Sequence, residues 1–198
     1  MLGAATTVVG PSDVAPLLAA PDAAERTWPS AQPNEMRLYT EMPSPIGKLL
    51  LVGREDALCG LYMDTPRTPA PGADWRSATA PFAGAVTQLE QYFAGERDEF
   101  ELVLDPAGTP FQVAAWMALR TIPFGRTASY GEQARRMGRP SAARAVGAAN
   151  RSNPIAVVVP CHRVIGSDGS LTGFGGGLWR KRQLLRHEAT VAAVAAAA

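Results

Sequence analysis

The stretch Asn153-Pro154-Ile155-Ala156-Val157-Val158-Val159-Pro160-Cys161-His162-Arg163-Val164 holds the densest chemistry in this sequence. Its apolar, β-branched run reads as a strand that Pro160 stops, since proline cannot donate to a ladder and fixes the backbone ahead of Cys161. A thiol is nucleophilic as its thiolate, and a nearby imidazole or guanidinium lowers its pKa. His162 and Arg163 follow Cys161 directly. A histidine base needs an acceptor to hold its tautomer. Glu188 can supply one, in a helix expected over 179–188 beside the second histidine, His187. A cysteine after an apolar run is otherwise a small buried hydrophobe, the reading kept for Cys59 in Leu58-Cys59-Gly60-Leu61. Beyond Cys161, Gly166, Gly169, Gly173, Gly175, Gly176 and Gly177 let backbone N–H groups approach a ligand. No G-x-x-x-x-G-K-[ST] is present, so these glycines fit a wall around something flat rather than a phosphate cradle.

Upstream, the pattern turns helical. Thr109-Pro110 offers an N-cap and a first-turn proline ahead of Phe111, Val113, Trp116, Met117 and Leu119, and Ile122-Pro123-Phe124-Gly125 breaks the run. Ser129 and Glu132 form an S-x-x-E capping box for a short helix that Gly138 ends. After Arg139-Pro140, Ser141 is expected to cap a second helix reaching about residue 149. Two short helices joined by a tight glycine-containing turn are a helix-turn-helix candidate, although helical arrays without DNA use the same pattern. Ala142, Ala143, Ala145, Gly147, Ala148 and Ala149 leave Arg144 and Val146 as the larger side chains of the second helix. Such a helix fits a nucleic-acid groove with Arg144 probing the base stack. Alternatively, it packs tightly on a neighbour and Arg144 is a solvated charge.

Farther upstream lie strand-like runs at 36–41, 48–52 and 58–63, with a Pro45-Ile46-Gly47 turn between the first two. Residues 65–81 hold Pro66, Pro69, Pro71 and Pro81 and read as a loop. Phe82, Val86, Leu89, Tyr92 and Phe93 fall at helical spacing up to Gly95, and 100–104 reads as one more strand. This part looks like a small α/β domain without a catalytic constellation. Residues 1–35, rich in Ala, Pro, Ser and Thr, read as a disordered extension and a poor signal peptide, with Met36 an alternative start. The expected divisions are therefore 1–35, a domain over 36–108, a domain over 109–190, and a tail over 191–198.

A length of 198 residues and 46% hydrophobic content allow one ordinary domain or two small ones. Two cysteines and two histidines are too few for an autonomous zinc module, so no metal is expected. Two cysteines far apart are no disulfide framework, which favours a reducing, cytoplasmic setting. No apolar run approaches the ~20 residues of a membrane span. The net charge of +1 conceals a division: residues 1–108 hold 7 Lys/Arg against 15 Asp/Glu, and residues 109–198 hold 12 against 3. Chance segregation of surface charge is the bland account; an acidic scaffold joined to a basic, anion-facing module is the sharper one.

With these pieces placed, Pro160-Cys161-His162-Arg163-Val164 becomes specific. Joined to Asn153-Pro154, Gly173-Phe174-Gly175-Gly176-Gly177-Leu178 and the Ser44-Pro45-Ile46-Gly47 turn, it resembles the O6-alkylguanine-DNA alkyltransferases over about residues 36–188. The resemblance implies an α+β chain: a small ribonuclease-H-like α/β domain, then a mostly helical domain with a winged-helix-like helix-turn-helix. It implies a monomer without cofactor that acts once on double-stranded DNA. The protein would enter the minor groove, flip an alkylated guanine out and move the alkyl group from O6 onto a cysteine. By the same resemblance Cys161 is the acceptor, His162 the base acting through a water, Glu188 its orienting partner and Asn153 a brace of the turn. Tyr130 would serve the leaving guanine and the flipped phosphate, and Arg144 would fill the stack. Ser129, Ala143, Ala145 and Ser167 would lie on DNA, while Pro160, Val164, Phe174 and Gly175 would form the pocket. The backbone at Cys161 and Val164 would accept from the guanine amino group. Phe174 stands where tyrosine is common, and Gly175 where serine or alanine occurs, which widens the expected pocket. No cysteine or histidine set matches the structural zinc or the methyl-sensing domain of some relatives. Two other classes remain to be tested: a DNA-binding member that holds or senses alkylguanine without transfer, and a Cys/His hydrolase.

Overall fold

The structure, a computed structural model, describes residues 37–66 and 68–197. The expected extension over 1–35 and the start at Met36 lie outside the described residues. Three strands, β1 (Arg37–Met42), β2 (Leu49–Gly53) and β3 (Leu58–Met63), form an antiparallel meander. A fourth, β4 (Trp75–Ser77), pairs parallel with β1, giving the order β3-β2-β1-β4. It falls inside the segment expected to be all loop. Proline punctuates that segment without reaching residues 75–77, so their N–H groups remain free to pair.

Alternation along β1 and β2 sends Leu38, Met42, Leu49 and Leu51 to one face, where they meet Phe82, Leu89 and Tyr92. Leu89 and Tyr92 belong to α1 (Ala83–Ala94), which Gly95 ends. The strand expected over 100–104 does not form. Leu104 makes a single bridge to Leu58, flanked by Leu58 N to Val103 O at 2.9 Å and Asp105 N to Leu58 O at 2.9 Å. Its backbone groups find partners at that one place on the β3 edge, too few for a ladder.

The remaining elements are α2 (Pro110–Leu119), β5 (Ala128–Ser129), α3 (Tyr130–Arg136), α4 (Ala143–Arg151), β6 (Val164–Ile165) and α5 (Leu178–Ala197). Both expected N-caps are present, with complete capping boxes Thr109/Gln112 on α2 and Ser129/Glu132 on α3. Ser141 does not cap. Pro140–Ala142 wind as a 3-10 turn and α4 starts at Ala143 with no side-chain cap. The final helix is longer than the expected 179–188 and runs on to Ala197.

One core joins the two halves: Leu49, Leu61 and Tyr92 of the first pack with Trp116, Ile155 and Leu184 of the second. A second cluster, Ala115, Ala118, Ala134, Met137, Val146 and Ala149, closes α3 and α4 onto α2. Among the described residues no helix is long and apolar enough to cross a membrane.

Candidate active site

The segment after Asn153 is not the strand its β-branched residues predict. Leu61 N reaches Pro154 O at 2.8 Å and Ala156 N reaches Leu61 O at 3.1 Å, so β3 holds only the start of it. The chain then turns back, Val159 N meeting Ile155 O at 2.9 Å, with Val157 at φ +71°, a region β-branched residues avoid. Asn153 fastens this turn: its Nδ2 donates to Val159 O at 2.8 Å and to Cys161 Sγ at 3.2 Å, and its Oδ1 accepts from Ile155 N at 3.0 Å.

Cys161–Arg163 form one 3-10 turn, in which successive side chains point about 120° apart. Cys161, only 7% exposed, lines a cleft of about 370 Å³. His162 and Arg163 point inward to Glu188. His162 Nε2 lies 2.7 Å from Glu188 Oε1, and Arg163 grips the carboxylate with Nε at 3.0 Å from Oε2 and Nη2 at 3.1 Å from Oε1. Tyr92 Oη donates to the same carboxylate at 2.9 Å and Gly125 N at 3.1 Å. Gly125 has φ +68°, and a Cβ there would lie 2.8 Å from the Ala192 methyl. Glycine alone fits.

These contacts set the charges. Burial alone would raise Glu188, but the hydrogen bonds and charges of His162 and Arg163 outweigh it and hold the carboxyl at about 2. Burial pushes His162 below its ordinary 6.5 against the pull of Glu188, which keeps the ring neutral at pH 7. With Nε2 engaged, Nδ1 is buried and without a hydrogen-bond partner among the described residues. Burial pushes the Cys161 thiol up, opposed by the Asn153 hydrogen bond and the Lys181 charge. Lys181 is itself buried, donating through Nζ to Val164 O at 2.5 Å and Thr172 O at 2.7 Å, and burial lowers it to about 8.

Phe174 and Gly175 line the cleft together with Met63 and Asn153. A Cβ at Gly175 would meet Arg151 O at 3.5 Å, ordinary contact, so the missing methyl widens the cleft there. Two residues expected in the pocket are not among those lining it. Pro160 faces a separate depression with Phe124 and Arg163, and Val164 is fully buried with its carbonyl on Lys181. Pro160 lies just before the 3-10 turn that carries Cys161, and Val164 leaves that turn in extended conformation as the first residue of β6.

The helix-turn-helix candidate is ordered by a buried amide pair. Asn150 Nδ2 donates to Gln133 Oε1 at 2.7 Å, Gln133 Nε2 returns a bond to Asn150 Oδ1 at 3.1 Å, and Trp116 Nε1 donates to Ala149 O at 2.8 Å. Arg144 and Ala145 are exposed and Ala143 is half-buried. Ser129 Oγ accepts from Glu132 N as the α3 cap, and Ser167 is exposed in the loop after β6. Tyr130, first residue of α3, donates through Oη to Thr172 O at 3.3 Å and Gly173 O at 3.4 Å. A Cβ at Gly147 would lie 3.6 Å from its ring, so Tyr130 links α3, α4 and the cleft wall.

Known proteins place this geometry. The DNA-binding domain of 6-O-methylguanine DNA methyltransferases matches residues 110–190, and their ribonuclease-like domain matches 37–106. The methylated-DNA–protein-cysteine methyltransferase of Mycolicibacterium paratuberculosis is 54% identical over 150 residues, 76% of this chain and 91% of that one. The chain belongs to the methylated-DNA–protein-cysteine methyltransferase family. A relative of that name from Methanosarcina acetivorans is 47% identical over 151 residues, 76% of this chain and 97% of its own. The crystal structure of Mycobacterium tuberculosis OGT in complex with DNA matches with a TM-score of 0.74 and 51% identity, covering 78% of this chain and 94% of that one. The two-part architecture, a sheet domain followed by a helical DNA-binding domain, is that of the family.

Within this methyltransferase site, the sequence reading missed Tyr92, Arg163 as a carboxylate clamp, Gly125 and Lys181. Lys181 and Glu188 had a usable signal: with Leu184 they recur at i, i+3 and i+7, one buried face of α5. Tyr92 is read as one of the helically spaced residues before Gly95, but nothing in its spacing indicates that its hydroxyl meets a carboxylate 96 positions away.

Proposed function

We propose that this protein repairs DNA by direct reversal, taking the alkyl group from O6 of guanine onto Cys161 in a single irreversible turnover. The observation that carries the reading is the assembly of a cleft-facing thiol beside a neutral buried imidazole whose far nitrogen is fixed by a carboxylate. With Nε2 held on Glu188, Nδ1 is the position from which His162 takes the thiol proton through a water. Sulfur then forms a bond to the alkyl carbon, the carbon–O6 bond breaks, and its electron pair returns to the guanine. Tyr130 assists the departing base by hydrogen bonding, and Asn153, already donating to Sγ, stabilises the thiolate. A thiol this buried cannot reach a base inside the stack, so the guanine must be extruded, at a cost of a few kcal/mol.

DNA is met by the helix-turn-helix. Arg135, Arg136, Arg139, Arg144 and Arg151, all exposed, supply phosphate attraction around α3 and α4. The small side chains of α4 suit the minor groove, about 6 Å wide, with Ala143 and Ala145 against the backbone and Arg144 in the space the guanine leaves. Ser129 and Ser167 lie where they can meet phosphates. Val164 O, although held by Lys181, keeps a second lone pair for the guanine amino group. A ribonuclease-H-like first domain, a winged-helix-like second one, a boundary near residue 108, a monomeric state and a cytoplasmic location complete the reading.

Intact-mass measurement after incubation with an O6-methylguanine duplex tests it. Wild type is expected to gain one methyl group, localised to Cys161 by peptide mapping, and Cys161→Ala none. Lesion binding without a mass gain would convert the reading to a non-catalytic alkylguanine-binding protein.

A further inference from the structure

Arg180 sits at the start of α5, just beyond the cleft wall, and makes three bonds to carbonyls that belong to three separate segments. Nε donates to Ile46 O at 2.7 Å, in the turn between β1 and β2. Nη2 donates to Asp64 O at 3.0 Å, immediately after β3, and Nη1 to Gly176 O at 2.9 Å, in the cleft wall. Its guanidinium lies 4.5 Å over the Trp179 ring. The planar fork of arginine is what allows one side chain to meet three acceptors in different directions; a lysine ammonium is a point donor on a flexible stem.

The surroundings are shaped to this contact. A Cβ on Gly47 would come within 3.3 Å of Arg180 Nη2, and Gly47 has φ +98°, so the turn presents bare backbone to the guanidinium. On the wall side, a Cβ on Gly176 would fall 2.2 Å from Met63 Sδ. Wall and sheet are therefore in direct van der Waals contact beside the bonds Arg180 makes, and Met63, Phe174, Gly175 and Gly176 all line the cleft in front of Cys161.

We propose that Arg180 is a positioning residue that ties the cleft wall at Gly176 to the sheet domain at Ile46 and Asp64, so that the sheet domain sets the width of the alkyl-binding cleft. The inference rests on the alkyl-transfer reading. It gives the acidic domain, which holds no reacting group, a part in selecting the alkyl group. With the clamp removed, the wall yields to a bulky alkyl group more readily than it loses its fit to a small one.

The test uses two duplexes of identical sequence, one with O6-methylguanine and one with O6-benzylguanine, so that DNA affinity cancels in the ratio of single-turnover rates. Arg180→Met is expected to raise the benzyl-to-methyl ratio about five- to tenfold, the scale of one or two lost hydrogen bonds. Arg180→Lys, which keeps the charge, is expected to raise it as well, and serves if the methionine variant fails to fold. Arg182→Met, at an exposed position of the same helix, is expected to leave the ratio unchanged. A ratio within about twofold of wild type in both Arg180 variants overturns the clamp, as does an equal rise in Arg182→Met. Failure of wild type to transfer from either duplex overturns the alkyl-transfer reading instead.

Discussion

Glu188 receives four kinds of donor: an imidazole, a guanidinium, a phenol and a backbone amide. It fixes the His162 tautomer and is itself held by Arg163, whose Nη1 also donates to Ile122 O at 2.7 Å. Glu188→Gln keeps the shape but removes the charge and offers His162 and Arg163 a weaker acceptor. Loss of such a supporting partner typically costs about 10- to 100-fold, so transfer from duplex is expected to slow by that factor with DNA affinity unchanged. Stopped-flow quenching with mass readout, beside a gel-shift titration, measures both. A parallel fall in affinity would move Glu188 to a purely structural role. Residue chemistry made Cys161, with His162 and Arg163 beside it, and the acceptor Glu188 legible, while the base role of His162 and the brace role of Asn153 came with the family resemblance. The contact of Tyr92 was illegible for a physical reason. Its partner is a carboxylate brought close only by tertiary packing.

The elements divide along a similar line. Helices α2 and α3 were readable to their first residue, since a capping box is a local device with all its partners within three positions. The strands expected over 100–104 and 155–159 were not, since β-propensity needs a partner strand, and the β3 edge offers each segment only a bridge. In the proposed reading DNA engagement rests on the α3–α4 pair, and its exposed Arg144 is the side chain whose role that pair decides. If Arg144 fills the gap in the base stack, Arg144→Ala is expected to cut transfer from duplex by tenfold or more, about the 1.4 kcal/mol of a modest part of the unstacking cost. Reaction with free O6-benzylguanine, which needs no extrusion, is expected to stay at the wild-type rate. Equal losses on both substrates would overturn the stacking role.

At the scale of the whole molecule, the +1 of the sequence is a small difference between acidic residues 1–108 and basic residues 109–198, and the sheet and helical domains share one core across which the buried charges are set. Those charges give stability a direction with pH. Glu188 is held at about 2 against an ordinary 4.5, so the unfolded chain takes up its proton first, and the stability this carboxylate contributes is full above about 4.5 and lost toward 2. His162, lowered from 6.5 by burial, acts with the same sign: its contribution is full above 6.5 and declines as the pH falls below it. On the alkaline side Lys181, at about 8 against 10.5, relieves the cost of its buried ammonium as the pH rises between those values. The raised thiols of Cys161 and Cys59 oppose that gain, because the unfolded chain ionises them from about 9 upward. Opposed terms leave the alkaline limb shallow, while the acid terms reinforce one another. Urea midpoints are therefore expected to fall continuously below about pH 6.5, most steeply below about 4.5, and to change little between about 8 and 10. Glu188→Gln is expected to lower the midpoint at neutral pH and flatten the steepest part of the acid limb. A variant that keeps the full wild-type acid slope would show that other carboxylates, not this buried one, govern acid unfolding.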